Sequence, residues 1–123
     1  MKTLSIVGRI GNRPRLTKVP PGADPLLTLQ VAVADRERIE GQWRATVCWI
    51  DVIIVGELAR KLVSVMRKGD LIAASGEMTT RNYQGRDTRD RTRIELRSTH
   101  FRSQEPRHIG EDYGLPSVED GPV

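Results

Sequence analysis

One segment constrains the fold more than any other: residues 46–56, which read TVCWIDVIIVG. Its four consecutive Val and Ile residues favour a strand over a helix, and a glycine ends it. Alternation sorts the strand into two faces. One face is mixed because it carries Trp49 beside Asp51, so this tryptophan is a candidate platform on which a flat ligand can stack. The other face predicts core residues, namely Cys48, Ile50, Val52 and Ile54.

Four other segments have strand-like alternation, and together with 46–56 they predict an all-β domain. The second and third strands form a hairpin across a polar loop at 35–44. A long polar arm, 79–93, follows the fourth strand and turns at Gly85. Five strands with one helix between strands three and four is the layout of an OB-fold, a small, partly open Greek-key barrel. The predicted strands are 3–11, 26–34, 46–56, 70–78 and a fifth around 94–98.

One helix is predicted, at residues 57–68, before a glycine that can end it. The proline-rich residues 12–25 are predicted to be a connection without helix. Four apolar helix residues recur with the spacing of one helix face, and we expect them to pack against the barrel. They are Leu58, Leu62, Val65 and Met66.

Charge is unevenly distributed along the chain. Residues 1–103 contain 19 Lys and Arg against 11 Asp and Glu, whereas residues 104–123 contain one against five. A basic body predicts a polyanionic partner, and a well-solvated surface is the alternative interpretation. The acidic stretch is rich in Pro and Gly. We therefore expect an OB-fold domain at 1–103 and a disordered tail at 104–123.

Several protein classes are disfavoured by the composition. The chain has one cysteine and therefore no intramolecular disulfide, and no apolar run is long enough to span a membrane. We expect a cytoplasmic protein. His100 and His108 have no further ligand at metal spacing, and no nucleophile–base pair or phosphate-binding glycine loop is evident. Neither a metal, a cofactor nor catalysis is expected.

Four sequence blocks carry a resemblance to a known family. They are IVGRIGNRP at 6–14, WIDVIIVGELARKL at 49–62, MRKGD at 66–70 and GEMTTRNYQ at 76–84. In order and spacing they resemble the bacterial single-stranded DNA-binding protein family, with its G-x-(I/L)-G-x-x-P turn, W-x-x-V-x-x-(F/W)-G-x-L-A passage, L-x-K-G turn and R-x-(W/Y) strand. The resemblance extends from about Leu4 to Phe101. It implies an OB-fold that binds single strands in a basic channel, where bases stack on aromatic side chains.

The resemblance implies DNA-binding roles for the residues that match its motifs. Trp49 and Tyr83 match stacking aromatics, and Arg81 and Lys68 match basic contact positions. For Trp49 the face analysis agrees, with packing at a subunit interface or under a loop as the alternatives. The polar segments add further candidates, for which the alternatives are a tryptophan covering the barrel end and a solvated, ion-paired arm. These candidates are Trp43, Arg36, Arg38, Arg86, Arg89 and Arg91.

The sequence also departs from the family pattern, as a divergent or secondary paralogue would. Val55 stands where the family usually has Phe or Trp, and residues 35–38 lack an aromatic that often stacks there, so we expect weaker stacking per subunit. Glu57 replaces a common basic residue. The closing VEDGPV lacks the aspartate run and terminal Phe through which the main family members recruit partner enzymes. We therefore do not expect the usual replication and repair proteins to dock on it.

These observations predict sequence-independent binding of single-stranded DNA in replication, recombination or repair. The resemblance implies a homo-oligomer, normally a tetramer, with a dimer as the alternative and with the first strand helping to pair subunits. A second hypothesis is an OB-fold interaction subunit of a replication assembly, resembling primosomal replication protein N. A third is binding of RNA, because stacking faces do not distinguish the sugars.

Overall fold

The computed structural model describes residues 1–17, 20–87 and 90–104, although not the side chains of residues 90 and 91. Within those ranges the chain forms six strands and one helix. In chain order these are β1 (Thr3–Ile10), β2 (Leu16–Thr17), β3 (Leu26–Ile39), β4 (Gln42–Val55), α1 (Glu57–Val65), β5 (Leu71–Gln84) and β6 (Asp90–Ser103).

The five long strands close into a barrel. Their order in the sheet is β1-β5-β6-β4-β3, with the short β2 beyond β3, and a β1–β3 pairing at Arg9 and Ile10 completes the closure. Strands β4 and β6 run parallel, whereas the other described pairings are antiparallel. With α1 between β4 and β5, this arrangement confirms the predicted OB-fold. Strand β2, which lies in the predicted connection at 12–25, was not foreseen.

The barrel interior is built from the inward faces that alternation predicts. Ile50, Val52 and Ile54 of β4 are buried, while Cys48 at the start of that face is half-buried. Each inward side chain meets those of neighbouring strands, so burial of the apolar surface holds the sheet closed. The largest fully buried side chains are Ile10, Leu27, Leu29, Val31, Val52, Ile54, Ile72 and Leu96.

The buried face of α1 differs from the prediction. Leu62 is buried and Met66, just beyond the helix, packs against the core, but Leu58 and Val65 are 41% and 48% exposed. The helix instead turns Ala59 inward, and this residue is fully buried. Because the small alanine side chain lets the helix approach the barrel closely, the contact stripe is rotated by one position from the one that the larger residues suggest.

The predicted polar loop at 35–44 is wrong. Strand β3 continues to Ile39 and β4 begins at Gln42, so the two pair without interruption and leave a two-residue turn. That turn has positive φ at Glu40 (51°) and at Gly41 (78°), the backbone of a type I′ hairpin turn. We call the exposed hairpin from residue 34 to residue 47 the β3–β4 arm. A second arm, the predicted one, is confirmed between β5 and β6.

Strand β6 ends at Ser103, and the Gln104 amide still donates to the Leu71 carbonyl at 2.9 Å. The rest of the predicted tail, 105–123, lies outside the described residues, so its disorder stays a prediction. In the part of the chain that is described, no helix is long and apolar enough to cross a membrane.

Candidate nucleic-acid interface

Trp49 lies on the outer face of β4, as alternation predicts. It is half-buried, and its partner across the β3–β4 ladder is Ala32. Directly opposed side chains in an antiparallel pair are neighbours on one face. Trp49 and Ala32 therefore share the outer face, where part of the indole stays exposed to solvent and can be stacked on.

The β3–β4 arm extends this outer face. Because the pairing runs without a bulge, Trp43, Val47 and Trp49 share one face of β4, and Trp43 and Val47 are 67% and 56% exposed. Arg38 stands opposite Trp43, and Arg36 stands two residues further along β3 on the same face. At about 3.3 Å per residue, the two tryptophans are roughly 20 Å apart along the strand. The face thus alternates aromatic and cationic groups over a distance of several nucleotides.

A polar groove of about 290 Å³ adjoins Trp49 on the same outer face of the barrel. Four strands contribute to it, because β3, β4, β6 and β5 are consecutive in the sheet. Its lining combines an aromatic ring with two arginines and two carboxylates. The lining residues are Thr28, Gln30, Asp51, Arg81, Tyr83, Arg93 and Glu95.

An ion pair sits in the polar groove. Arg93 donates from Nη2 to Oδ1 of Asp51 at 2.7 Å, and the two side chains are only 21% and 12% exposed. This hydrogen bond is the main reason that the pKa of Arg93 is raised above its ordinary value, against the opposing effect of burial. Asp51 therefore has a charged partner in the folded chain. Its partner is 42 positions away in sequence and is brought near by the parallel β4–β6 pairing.

Tyr83 forms one wall of the polar groove, and Arg93 also contacts it. The guanidinium carbon lies 5.9 Å from the ring centroid, within the range of a cation–π contact. Arg81, two residues before Tyr83 on the same face, has a 74% exposed side chain and makes a looser ion pair of 3.7 Å with Glu95. The β5–β6 arm thus holds an aromatic ring and a solvent-facing cation side by side. A single strand needs both, the ring for a base and the cation for a phosphate.

Lys68 stands apart from these groups, in the turn between α1 and β5, where it is exposed. The next residue, Gly69, accepts a 3.3 Å hydrogen bond from Arg9 through its carbonyl. Arg9 pairs with Ala32 and so belongs to the same row as Trp49. Its outward position was readable from the alternation of β1, but Arg9 was not among the predicted site residues.

The remaining predicted candidates are divided by what the structure describes. Arg86 is exposed at the tip of the β5–β6 arm. Arg89 and the side chain of Arg91 lie outside the described residues, so their roles stay predictions. Across the described part of the chain, no group of three or more His, Cys, Asp or Glu side chains could hold a metal ion.

Comparison with protein-family models finds a match to the Single-strand binding protein family over residues 1–104. The chain is 27% identical over 124 residues to Single-stranded DNA-binding protein 2 of Clostridium acetobutylicum, covering 98% of this chain and 92% of the relative. It is 25% identical over 122 residues to Single-stranded DNA-binding protein 2 of Chlorobaculum tepidum, covering 98% and 82%.

Solved structures share the fold. The small single-stranded DNA-binding protein from Streptomyces coelicolor matches with a TM-score of 0.69 and 18% identity, over 84% of this chain and 94% of that one. The Plasmodium falciparum SSB in complex with single-stranded DNA matches with a TM-score of 0.61 and 20% identity, over 83% and 91%. At these identities the likeness concerns the barrel architecture.

Proposed function

This chain belongs to the Single-strand binding protein family, and we propose that it binds single-stranded DNA without requiring a particular sequence. The protein would cover the single-stranded DNA that is exposed during replication, recombination or repair. Every base has a flat face, so stacking tolerates any sequence, and phosphates are the same at every position.

One observation carries this proposal: the outer face is continuous from the β3–β4 arm to the polar groove. Trp43 and Trp49 lie on one strand face with Arg36 and Arg38 across the ladder, and Tyr83 follows with Arg81. Trp43 and Val47 are both exposed on this face, and neighbouring exposed apolar side chains often mark a binding site. Arginines spaced between the rings supply the charges that neutralise phosphates. The face therefore has both parts of a single-strand site.

The arginines of the β3–β4 arm are expected to contribute to the affinity for DNA, and this contribution can be tested. Replacing Arg36 and Arg38 together with glutamine is expected to weaken binding of oligo(dT) most at low salt. Each phosphate contact contributes about 0.7 to the slope of log affinity against log salt for single strands, so the double variant should lower the slope by about 1.4. Fluorescence anisotropy with a dye-labelled oligo(dT) at several salt concentrations measures this slope.

A matched control is available on α1. Arg60 and Lys61 are exposed and lie beyond the end of β4 opposite the arm, so changing both to glutamine removes the same charge. This control should leave the slope within about 0.3 of the parent's, because long-range charge effects are screened. Equal slopes for the two double variants would mean that general surface charge, and not the arm, contacts the phosphates.

We also propose that the protein acts as a homo-oligomer, as a tetramer or a dimer. From Thr3 to Val7, β1 pairs with β5 on one side, while its pairing with β3 begins only at Arg9. Among the residues that the structure describes, the other side therefore presents an open strand edge, and Val7 beside it is 53% exposed. Open edges of this kind readily pair with another chain. Linking several sites raises the effective concentration of each for one strand.

A substitution in β1 tests the oligomer. Replacing Ser5 with proline removes a backbone donor at the strand where subunits would pair, and it is expected to reduce the molecular mass measured by light scattering. Ser5 to Ala is the control, and it should leave the mass unchanged. A parent protein that is already monomeric at micromolar concentration would contradict the proposal.

The competing function, an interaction subunit of a replication assembly, is not favoured by the comparisons. The matched family and the named relatives are single-strand binding proteins. We place the activity in the cytoplasm, at the nucleoid, because that is where exposed single strands would be covered in a bacterium.

A further inference from the structure

The polar groove has an unusual charge for a site that faces a polyanion. Its two arginines are balanced by two carboxylates, and Asp51 and Glu95 are directly paired across β4 and β6. Two neighbouring carboxylates repel a phosphate oxygen, whereas the exposed arginines of the β3–β4 arm attract it. Phosphates are therefore expected on the side of the β3–β4 arm, and another part of the nucleotide must face Asp51 and Glu95 in the polar groove.

Both carboxylates retain hydrogen-bond capacity toward the polar groove. Each has about four acceptor sites. Asp51 accepts one described side-chain bond, from Arg93, and Glu95 has an ion pair with Arg81 that is too long, at 3.7 Å, for a hydrogen bond. Their side chains are only 12% and 15% exposed. The remaining acceptor positions are thus shielded from bulk water, where a hydrogen bond to a ligand is stronger.

Base edges differ in what they can offer to such acceptors. Cytosine presents an exocyclic amino group, which donates to Asp or Glu, and next to it an acceptor that suits an arginine. Uracil and thymine present a carbonyl oxygen at the same position and a single N–H between two carbonyls, so they offer two neighbouring carboxylates fewer donors than the cytosine amino group does. A pyrimidine lying against the Tyr83 ring would turn its amino or carbonyl edge toward Asp51 and Glu95, because the ring and the two carboxylates line the same groove.

We propose that the polar groove selects bases that carry an exocyclic amino group, with Asp51 and Glu95 as the selecting residues, so that cytosine is bound more tightly than uracil or thymine. This inference rests on the proposed function, because it names the bases favoured within the same site. Stacking at Trp43 and Trp49 remains indifferent to the base. The result is a graded preference within otherwise sequence-tolerant binding.

The test is a competition between oligo(dC) and oligo(dU) of equal length, above neutral pH, against a dye-labelled oligo(dT). Uracil lacks the thymine methyl group, so the amino group is the main difference. We expect oligo(dC) to compete at least about fivefold better, the lower end of what one good base contact discriminates. Glu95→Gln and Asp51→Asn should reduce this ratio toward unity, since an amide can donate to the uracil carbonyl as readily as it accepts from cytosine.

Two variants keep the test interpretable. Asp51→Asn weakens an ion pair that packs the polar groove, but Glu95→Gln loses only the loose contact with an exposed arginine, so it is expected to fold. Glu57→Gln on α1 removes the same charge at an exposed site and should keep the parent's ratio. Variants that bind both oligomers more tightly but keep the parent's ratio would overturn the inference.

Other outcomes separate this inference from the proposed function. Equal competition by oligo(dC) and oligo(dU) in the parent protein would overturn base selection and leave single-strand binding intact. Failure of the labelled oligo(dT) itself to bind, even at low salt, would overturn the proposed function and the inference with it.

Discussion

Replacing both Trp49 and Tyr83 with alanine is expected to weaken binding of oligo(dT) by at least about thirtyfold. Stacking on an aromatic side chain contributes ~1–3 kcal/mol per base, so two lost platforms correspond to about 2–6 kcal/mol. The rings are on different strands, β4 and β5, with β6 between them in the sheet, so their effects should be nearly additive. Anisotropy of a dye-labelled oligo(dT), with each single variant alongside the double, measures the loss without relying on tryptophan emission.

The matched control replaces the same two residues with phenylalanine. Phenylalanine keeps a stacking face but removes the indole and the hydroxyl group, so most of the affinity should return. Thermal melting of all variants distinguishes a lost contact from a lost fold, since Trp49 is half-buried beside Ala32. Equal affinity of the alanine variant and the parent, with both folded, would remove these rings from the site.

The second large effect concerns the fold. Gly76→Ala is expected to destabilise the barrel by about 3 kcal/mol or more, because the added methyl group meets backbone rather than flexible side chains. Its Cβ would overlap the Arg97 carbonyl oxygen and lie 2.9 Å from the Thr99 nitrogen. The pairing of β5 and β6 shifts register between Ser75 and Gly76, so the two strands approach closely there. We expect the melting temperature to fall by roughly 10 °C or more.

Gly41→Ala is the comparison for that variant. Gly41 has φ +78° in the turn of the β3–β4 arm, but no atom lies within 4 Å of an added Cβ. Only the left-handed backbone then opposes alanine, at roughly 1–2 kcal/mol. A melting temperature for Gly76→Ala above that for Gly41→Ala would show that the β5–β6 strands separate easily at this point, contrary to the packing described above.

The barrel was predictable because its strands carry a one-sided pattern. Inward residues such as Leu29 and Leu96 alternate with polar ones, and burial on one face is what alternation records. The β3–β4 arm was not predicted to be strand. Both of its faces are exposed, so its sequence has no alternation of apolar and polar residues. The buried face of α1 was not predicted correctly, because two overlapping apolar stripes fit its sequence. The small Ala59 packs closely against the barrel and so determines which stripe is buried.

The candidate site was likewise predictable only in part. Trp49 was placed outward correctly, since its neighbours along β4 fix its parity. The pairing of Asp51 with Arg93 could not be foreseen, because it depends on the register of two parallel strands that are far apart in sequence. The same register brings Glu95 beside Asp51. The pair of carboxylates in the polar groove is therefore a property of the folded chain that local sequence does not show.

The most direct measurement uses the variant Trp43→Phe, in which Trp49 is the only tryptophan, since the chain has two. Its emission is followed while oligo(dT) is added at low salt, and anisotropy of a labelled oligo(dT) reports binding independently. Strong quenching that saturates together with the anisotropy is expected if bases stack on Trp49. Binding by anisotropy with unchanged Trp49 emission would contradict stacking on this face and would leave the arginines as the contact.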